Sequence, residues 1–253
     1  GHGLIDLHQA IVQSCDVYYY QLAVKLGIDT IDEFLRSFGF GAPTGLDING
    51  EGHGLVPSRE WKRTHFSRRE DQVWFPGETV ITGIGQGFTL VTPLQLAHST
   101  AILASRGIPF KPRLVRAEVD GVTGEVTARE PEALSELDID ADHWQSIHDG
   151  MLGVIEEELG TAHTVMSGVD YMVAGKTGTA QVFTVAQGDK YDAETLDEHL
   201  LDHGLFIAFA PIEAPSIAIA VVVENRGGGG VTAAPIARRI LDVYFEEADY
   251  VRR

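Results

Sequence analysis

The chain has 253 residues, enough for one large domain or two small ones with a sizeable buried core. Hydrophobic residues make up 44% of it and charged residues 22%, which is ordinary for a folded globular protein. The formal net charge of −18 argues against binding of nucleic acid or of an anionic membrane surface through bulk electrostatics.

The beginning of the sequence indicates whether the chain contains a whole domain. No apolar run approaches the roughly 20 residues that a membrane-spanning helix needs, and no signal peptide opens the chain. The single cysteine, Cys15, excludes an internal disulfide and leaves the redox compartment open. Residues 1–6 resemble the middle of a longer sequence, because they contain neither a basic region nor a disordered lead-in. We therefore expect residues 1–253 to form a single domain whose N-terminal part is missing.

The N-terminal segment is predicted to be helical. Apolar residues at helical spacing over residues 4–26 are broken only by the polar trio Ser14-Cys15-Asp16. We expect Asp16 to cap the second of two helices, which then ends at Gly27. A capping box formed by Thr30 and Glu33 predicts that a short third helix begins there.

The middle of the chain is predicted to be irregular around one clear helix. Residues 41–90 are rich in glycine, proline and aromatic residues, which indicates a long excursion over the surface. Thr92-Pro93 begins a helix that ends near Gly107. A β-rich stretch with a turn at Asp120-Gly121 follows, and residues 130–142 form an acidic linker.

The last part of the chain alternates between helix and strand patterns. The predicted elements are a helix over 142–159, strands over 171–182, 205–210 and 216–224, a flexible turn over the four glycines 227–230, and a final helix over 233–245. The third strand is apolar on both faces, which is typical of a strand that helices cover on each side.

The segment that carries chemistry is Lys176-Thr177-Gly178-Thr179, on the first of these strands. An ammonium group, hydroxyl groups and a residue without a side chain lie along one sheet edge. These groups can hold an extended peptide that ends in a carboxylate by charge, hydrogen bonds and strand addition. Gly178 allows the ligand backbone to approach closely.

Other interpretations of these motifs have to be weighed against this one. Gly175-Lys176-Thr177 resembles the end of a phosphate-binding loop, but Asp170 stands where that motif needs a glycine. Lys176 could otherwise be a solvated charge that protects a strand edge. In the same way, Ser14-Cys15-Asp16 at a helix junction could be no more than a helix cap.

The order of the motifs favours the chemical interpretation. Penicillin-recognising serine enzymes combine Ser-x-x-Lys, Ser-x-Asn and Lys-Thr-Gly in that order. Nearly the whole sequence resembles the penicillin-binding protein 2 family of class B transpeptidases. The resemblance rests on the segments Gly1-His2-Gly3, Ser14-Cys15-Asp16, 17–21, 57–62, Gly83-Ile84-Gly85-Gln86-Gly87, 92–95, 160–162, the Lys-Thr-Gly strand, Asp202-His203, 209–211 and 222–225.

The sequence departs from the superfamily pattern in two places. The middle motif ends in Asp16 where the superfamily has asparagine, a variant that resembles penicillin-binding protein 2. No serine of this chain has a lysine three residues later. We expect the nucleophile motif Ser-x-x-Lys to lie upstream of this chain, so the chain alone is expected to be inactive.

The resemblance implies a role for each site residue. An upstream serine is expected to attack the D-Ala-D-Ala amide of a peptidoglycan stem peptide and form an acyl-enzyme. Ser14 would relay a proton to the leaving amine, and Asp16 would orient the bound peptide. Lys176 with the hydroxyls of Thr177 and Thr179 would bind the substrate carboxylate, and the Thr179 N–H would supply half of an oxyanion hole.

The resemblance also implies a structural metal. Some members of the family hold zinc with two aspartates, a histidine and a cysteine. His2 and Cys15 resemble the last two ligands, and the aspartates would lie upstream. No cofactor is required for the chemistry. The alternative is a buried free cysteine and a surface histidine.

We therefore predict an α+β fold of the penicillin-binding and β-lactamase type, an antiparallel sheet flanked by helices plus a helical lobe. The predicted activity is D,D-transpeptidation in cell elongation. The expected partners are stem peptides, β-lactam antibiotics and a membrane glycan polymerase, with the domain in the periplasm and an anchor in the inner membrane. The open alternatives are a D,D-carboxypeptidase or β-lactamase-like hydrolase, and a non-catalytic relic or peptide-binding module.

Overall fold

The computed structural model describes residues 1–182 and 196–252. Its helices in this part of the chain are α1 (Leu7–Val12), α2 (Asp16–Leu26), α3 (Ile28–Ser37), α4 (Arg59–His65), α5 (Pro76–Thr82), α6 (Pro93–Ala104), α7 (Ala141–Glu156), α8 (His163–Met166) and α9 (Gly229–Arg252). The strands are β1 (Ala117–Val119), β2 (Val126–Ala128), β3 (Ala174–Ala180), β4 (His203–Ala210) and β5 (Ile217–Val223). Within residues 1–182 and 196–252, no helix combines the length and the apolar character that crossing a bilayer requires.

The three predicted strands pair as one antiparallel sheet in the order β3-β4-β5. Alternate side chains of β4 point to opposite faces. Gly204 lies so close to α9 that a Cβ there would be 2.0 Å from Thr232 Oγ1, whereas the ring of Phe209 lies 4.9 Å from His148 on α7. Helices therefore cover the sheet on both faces, as the apolar strand pattern predicted.

The buried core lies between these layers. Phe206, Phe209 and Leu241 are fully buried, together with alanines of α9 and apolar residues of α7 and α8. β3 is at the end of the sheet, so one of its edges has no strand partner among the described residues. That free edge faces the loop between α1 and α2 and the turn after α5.

The structure corrects three predicted boundaries. Cys15, not Asp16, is the N-cap of α2, and Asp16 is the first helical residue. α3 begins at Ile28 rather than at Thr30, because Gly27 in a left-handed conformation (φ 77°) joins α2 directly to α3. α9 begins at Gly229 inside the predicted flexible turn, and that position must be glycine because a Cβ there would lie 1.9 Å from the Leu205 carbonyl oxygen.

The segment 41–90 is more ordered than its composition predicted, because it contains α4 and α5. Their caps are local: the Ser58 hydroxyl accepts a hydrogen bond from Trp61 N (3.1 Å), and Glu78 accepts one from Phe75 N (2.7 Å). Each helix has only seven residues, too few for an apolar period to be visible. The predicted helix after Thr92 and the hairpin at Asp120 are confirmed.

His148 on α7 is a buried histidine that the core keeps neutral. It is 1% exposed, and its Nε2–H donates to the Leu103 carbonyl (2.7 Å). Among the described residues its Nδ1 has no hydrogen-bond partner. Burial lowers the pKa of His148 below its usual 6.5.

We expect this histidine to make stability fall in mild acid. As the pH falls below 6.5 the unfolded chain takes up this proton before the folded chain does, so the free energy of unfolding falls with the pH. H148Q keeps a donor for the Leu103 carbonyl and does not titrate, so its stability should depend less on pH. Urea unfolding of the wild-type and H148Q chains at pH 7.5 and 5.5 measures this. An equal change in the free energy of unfolding between the two pH values would contradict the prediction.

Candidate active site

The helix break at residues 13–15 sets the position of Ser14. The Ser14 N–H donates to the Ile11 carbonyl (3.2 Å) and the Cys15 N–H donates to the Ala10 carbonyl (2.9 Å). These two bonds are those of a Schellman motif, whose turning residue is usually glycine. Ser14 occupies that position with φ 53°, a left-handed conformation that is uncommon for a residue with a Cβ. Backbone strain of this kind is often found at functional sites.

Lys176 reaches Ser14 from the sheet. Its Nζ donates to Ser14 Oγ (2.8 Å) and to the Thr177 carbonyl (2.9 Å). Burial lowers the pKa of Lys176 to about 8, and the negative charge of Asp16 acts in the opposite direction. The structure therefore brings together two residues that are 162 positions apart in the sequence and that the motifs predicted to share a site.

The other predicted site residues surround the same space. Asp16, Thr177, Gly178 and Thr179 line a cavity of about 540 Å³ together with Ser14 and Lys176. Asp16 is exposed at the start of α2. Thr177 Oγ1 is 2.7 Å from Thr161 Oγ1, so its hydroxyl is held in place. The cavity thus combines a cation, hydroxyl groups and an open strand edge, which can bind an anionic peptide terminus.

A larger and mostly apolar cavity of about 730 Å³ adjoins this one. It lies between α2, α3 and the end of β3, and it shares five lining residues with the first cavity: Tyr19, Gly83, Ile84, Gly178 and Thr179. Burial raises the pKa of Tyr19 to about 12, so its phenol stays neutral at physiological pH.

Gln86 is a site residue to which the sequence assigned no role. It lies in the turn after α5, and its Nε2 donates to the Thr179 carbonyl (2.8 Å). Its Oε1 accepts a longer hydrogen bond from Gln181 N (3.3 Å). The sequence signals were its place in the segment 83–87, on which the family resemblance partly rests, and its position between two glycines, Gly85 and Gly87. Both glycines have a left-handed backbone.

The residues present do not by themselves fit a zinc site. Zinc needs about four donors. Cys15 is buried and His2 is exposed, and residues 1–182 and 196–252 contain no group of three or more histidine, cysteine or acidic residues placed to hold a metal ion. A structural zinc with further ligands outside this chain stays a prediction.

Comparison with known proteins agrees with this geometry. The penicillin binding protein transpeptidase domain family matches residues 1–242. The peptidoglycan D,D-transpeptidase MrdA of Haemophilus influenzae is 39% identical over 250 residues, which is 98% of this chain and 37% of that protein. The crystal structure of Pseudomonas aeruginosa PBP2 in complex with WCK 5153 aligns with a TM-score of 0.78 and 40% identity, over 95% of this chain and 49% of that one.

A second solved structure, the complex between PBP2 and MreC from Helicobacter pylori, aligns with a TM-score of 0.78 and 30% identity, over 97% of this chain and 41% of that one. The chain thus spans 37–49% of the length of each of these relatives. The sheet with helices on both faces and the Ser14–Lys176 contact agree with the fold that the sequence predicted. The chain belongs to the penicillin binding protein transpeptidase domain family.

Proposed function

We propose that the protein containing this chain is a peptidoglycan D,D-transpeptidase of cell elongation. The observation that carries this proposal is the hydrogen bond between Lys176 and Ser14 beside the free edge of β3. A buried cation, a serine hydroxyl and an open strand edge within one cavity suit an extended peptide that ends in a carboxylate.

In this proposal an upstream serine hydroxyl attacks the penultimate D-alanine carbonyl of a stem peptide. Its oxygen forms an ester with that carbonyl, and the peptide bond to the terminal D-alanine breaks. Ser14 passes a proton towards the leaving amine, which departs as free D-alanine. An amine of a neighbouring stem peptide then attacks the ester, forms the crosslink and releases the serine.

The residues of this chain bind and orient the donor peptide. The cationic form of Lys176 and the hydroxyls of Thr177 and Thr179 hold the terminal carboxylate. The Thr179 N–H stabilises the oxyanion that develops on the attacked carbonyl, and one such donor is worth about 10²–10³ in rate. The charge of Asp16 favours the cationic form of Lys176.

The setting of this reaction is also a proposal. Peptidoglycan stem peptides are crosslinked outside the inner membrane, so the domain would act in the periplasm. It would be held there by a membrane anchor that is not part of this chain. β-Lactams would acylate the same serine. The relative from Helicobacter pylori forms a complex with MreC, and for this protein we propose a partner in the elongation machinery, a membrane glycan polymerase.

Intact-mass measurement after treatment with benzylpenicillin tests the proposal. We expect the full-length protein to gain the mass of one penicillin and this chain alone to gain none. No adduct on the full-length protein would contradict an active transpeptidase. An adduct on this chain alone would mean that its nucleophile is a serine described here. Incubation of the full-length enzyme with stem peptides then distinguishes a transpeptidase, which forms crosslinked product, from a carboxypeptidase, which forms only hydrolysed product.

A further inference from the structure

The free edge of β3 is occupied in this structure by a side chain of the protein itself. The carboxamide of Gln86 donates to the Thr179 carbonyl (2.8 Å) and accepts from Gln181 N (3.3 Å). One primary amide thus uses an acceptor of β3 and a donor one residue beyond the end of that strand. These are the kinds of bond that a peptide backbone makes when it adds to a sheet.

Strand geometry places these groups where the ligand of the proposed function must bind. Alternate residues of a strand direct their N–H and C=O groups to the same edge. Thr177, Thr179 and Gln181 therefore share the edge that faces away from β4. On this edge the Thr177 carbonyl already accepts from Lys176 Nζ (2.9 Å). A ligand that extends along the edge from Lys176 next meets the Thr179 carbonyl, which Gln86 occupies.

The turn that carries Gln86 lets the side chain leave without a change of backbone. The Gln86 N–H donates to the Ile81 carbonyl (3.0 Å), and Gly85 and Gly87 fix the turn with their left-handed conformations. A Cβ at Gly87 would lie 2.9 Å from Ile81, so the turn packs closely on the end of α5. Only the rotatable bonds of the glutamine side chain have to move.

We propose that Gln86 is a specificity-determining residue that substitutes for the amide of the acyl donor on the edge of β3. A ligand with an amide N–H at this point takes the Thr179 carbonyl from Gln86 and exchanges one hydrogen bond for another. A ligand without that amide leaves Gln86 in place and gains nothing at this edge. This inference rests on the proposed function.

The expected size of the effect follows from one exposed hydrogen bond. A net contribution of about 0.5–1.5 kcal/mol corresponds to roughly two- to tenfold in an equilibrium constant. Removing Gln86 should therefore speed the reaction of amide-bearing ligands by about two- to tenfold. A residue that only supports the fold of the turn would, when removed, slow both kinds of ligand.

The test is the second-order rate constant for acylation of the full-length protein by two penams. Benzylpenicillin carries an acylamino side chain, and penicillanic acid has hydrogen at that carbon. For Q86A we expect faster acylation by benzylpenicillin and an unchanged rate with penicillanic acid. Q145A, a change of a surface glutamine on α7, should leave both rates unchanged. Q86N, whose amide is one methylene shorter, gives the same readout if Q86A does not fold.

The outcomes separate the two proposals. Acylation of the wild-type protein with an equal or slower benzylpenicillin rate in Q86A and Q86N would overturn the role of Gln86 and leave the proposed function standing. Equal acceleration with both penams would also overturn it, because it would indicate a general opening of the site. Absence of acylation by either penam in the wild-type protein would overturn the proposed function and the role of Gln86 with it.

Discussion

Replacing Lys176 by methionine should lower the rate of penicillin acylation of the full-length protein by about 10–10²-fold, because a hydrogen bond to a charged group contributes about 1.5–3 kcal/mol. The Nζ lies 2.8 Å from Ser14 Oγ in the cavity that we assign to the donor peptide. Methionine keeps the length of the side chain and removes both the charge and the hydrogen bonds. Stopped-flow or gel measurement of acylation gives the rate.

The pH dependence of acylation should report the same group. The pKa of Lys176 is lowered to about 8 by burial, so the lysine is cationic below pH 8 and neutral above it. If the cation binds the ligand carboxylate, acylation is constant near pH 7 and falls as the pH rises through about 8. K176R stays cationic over this range, and the residual activity of that variant should show no such fall.

Replacing Lys176 by methionine should also stabilise the fold. The folded pKa of Lys176 lies below its ordinary 10.5, so the unfolded chain binds more protons between these values. Stability therefore rises as the pH rises from about 8 to 10.5, and at neutral pH the buried charge is a cost. K176M should raise Tm at pH 7 while it slows acylation, a trade-off that is common at active sites.

K111M is the matched control, because Lys111 is an exposed lysine paired with Glu132 (3.3 Å). It should change neither acylation nor, by more than about 1 kcal/mol, stability. Acylation of K176M within threefold of the wild-type rate would contradict the assigned role of Lys176. A fall in Tm for K176M would contradict the prediction that burying the charged Lys176 destabilises the folded chain at neutral pH.

The strands and the helix break that position the site could be predicted from the sequence. The apolar pattern of β4 and β5 and the glycine-rich signal after them located the sheet, and the Lys-Thr-Gly segment located its open edge. The polar trio at Ser14 marked the helix break correctly. Its conformation was not readable, because the left-handed position of a Schellman motif is usually recognised from glycine and here holds serine.

Contacts between distant segments could not be predicted. Gln86 and Thr179 are 93 residues apart, and no local pattern connects a turn to a strand edge at that separation. The error at Thr30 has a different cause, since its capping box is a valid local signal that Gly27 overrides. Local chemistry thus determined which residue types could act, and tertiary packing determined which of them meet.

Lys62 is a buried lysine whose contacts come from tertiary packing, and it leads to the second large effect that we expect. This lysine of α4 is 4% exposed. Its Nζ donates to the Val73 carbonyl (2.7 Å) and forms an ion pair with Glu78 of α5. The rings of Trp74, Phe75 and Phe88 lie 5.0–5.9 Å from the ammonium group. The buried cation therefore joins α4, α5 and the aromatic residues of the segment 41–90.

We expect K62M to lower the free energy of unfolding by about 3–5 kcal/mol, because it leaves the Glu78 carboxylate in a largely buried position without its cation. For a chain of this size that corresponds to a fall in Tm of about 6–20 °C. Urea and thermal unfolding measure both quantities. K111M should cost less than about 1 kcal/mol in the same assays, since its ion pair is exposed.

A double mutant separates the loss of the cation from the loss of packing. K62M/E78Q removes the stranded charge, while the glutamine can still accept from Phe75 N at the start of α5. Its unfolding free energy should therefore exceed that of K62M alone, although each change by itself is destabilising. If the two losses simply add, Glu78 is not the partner that makes Lys62 necessary, and the aromatic rings rather than the ion pair would account for the cost. A K62M chain as stable as the wild type would show that the segment 41–90 does not depend on this cation.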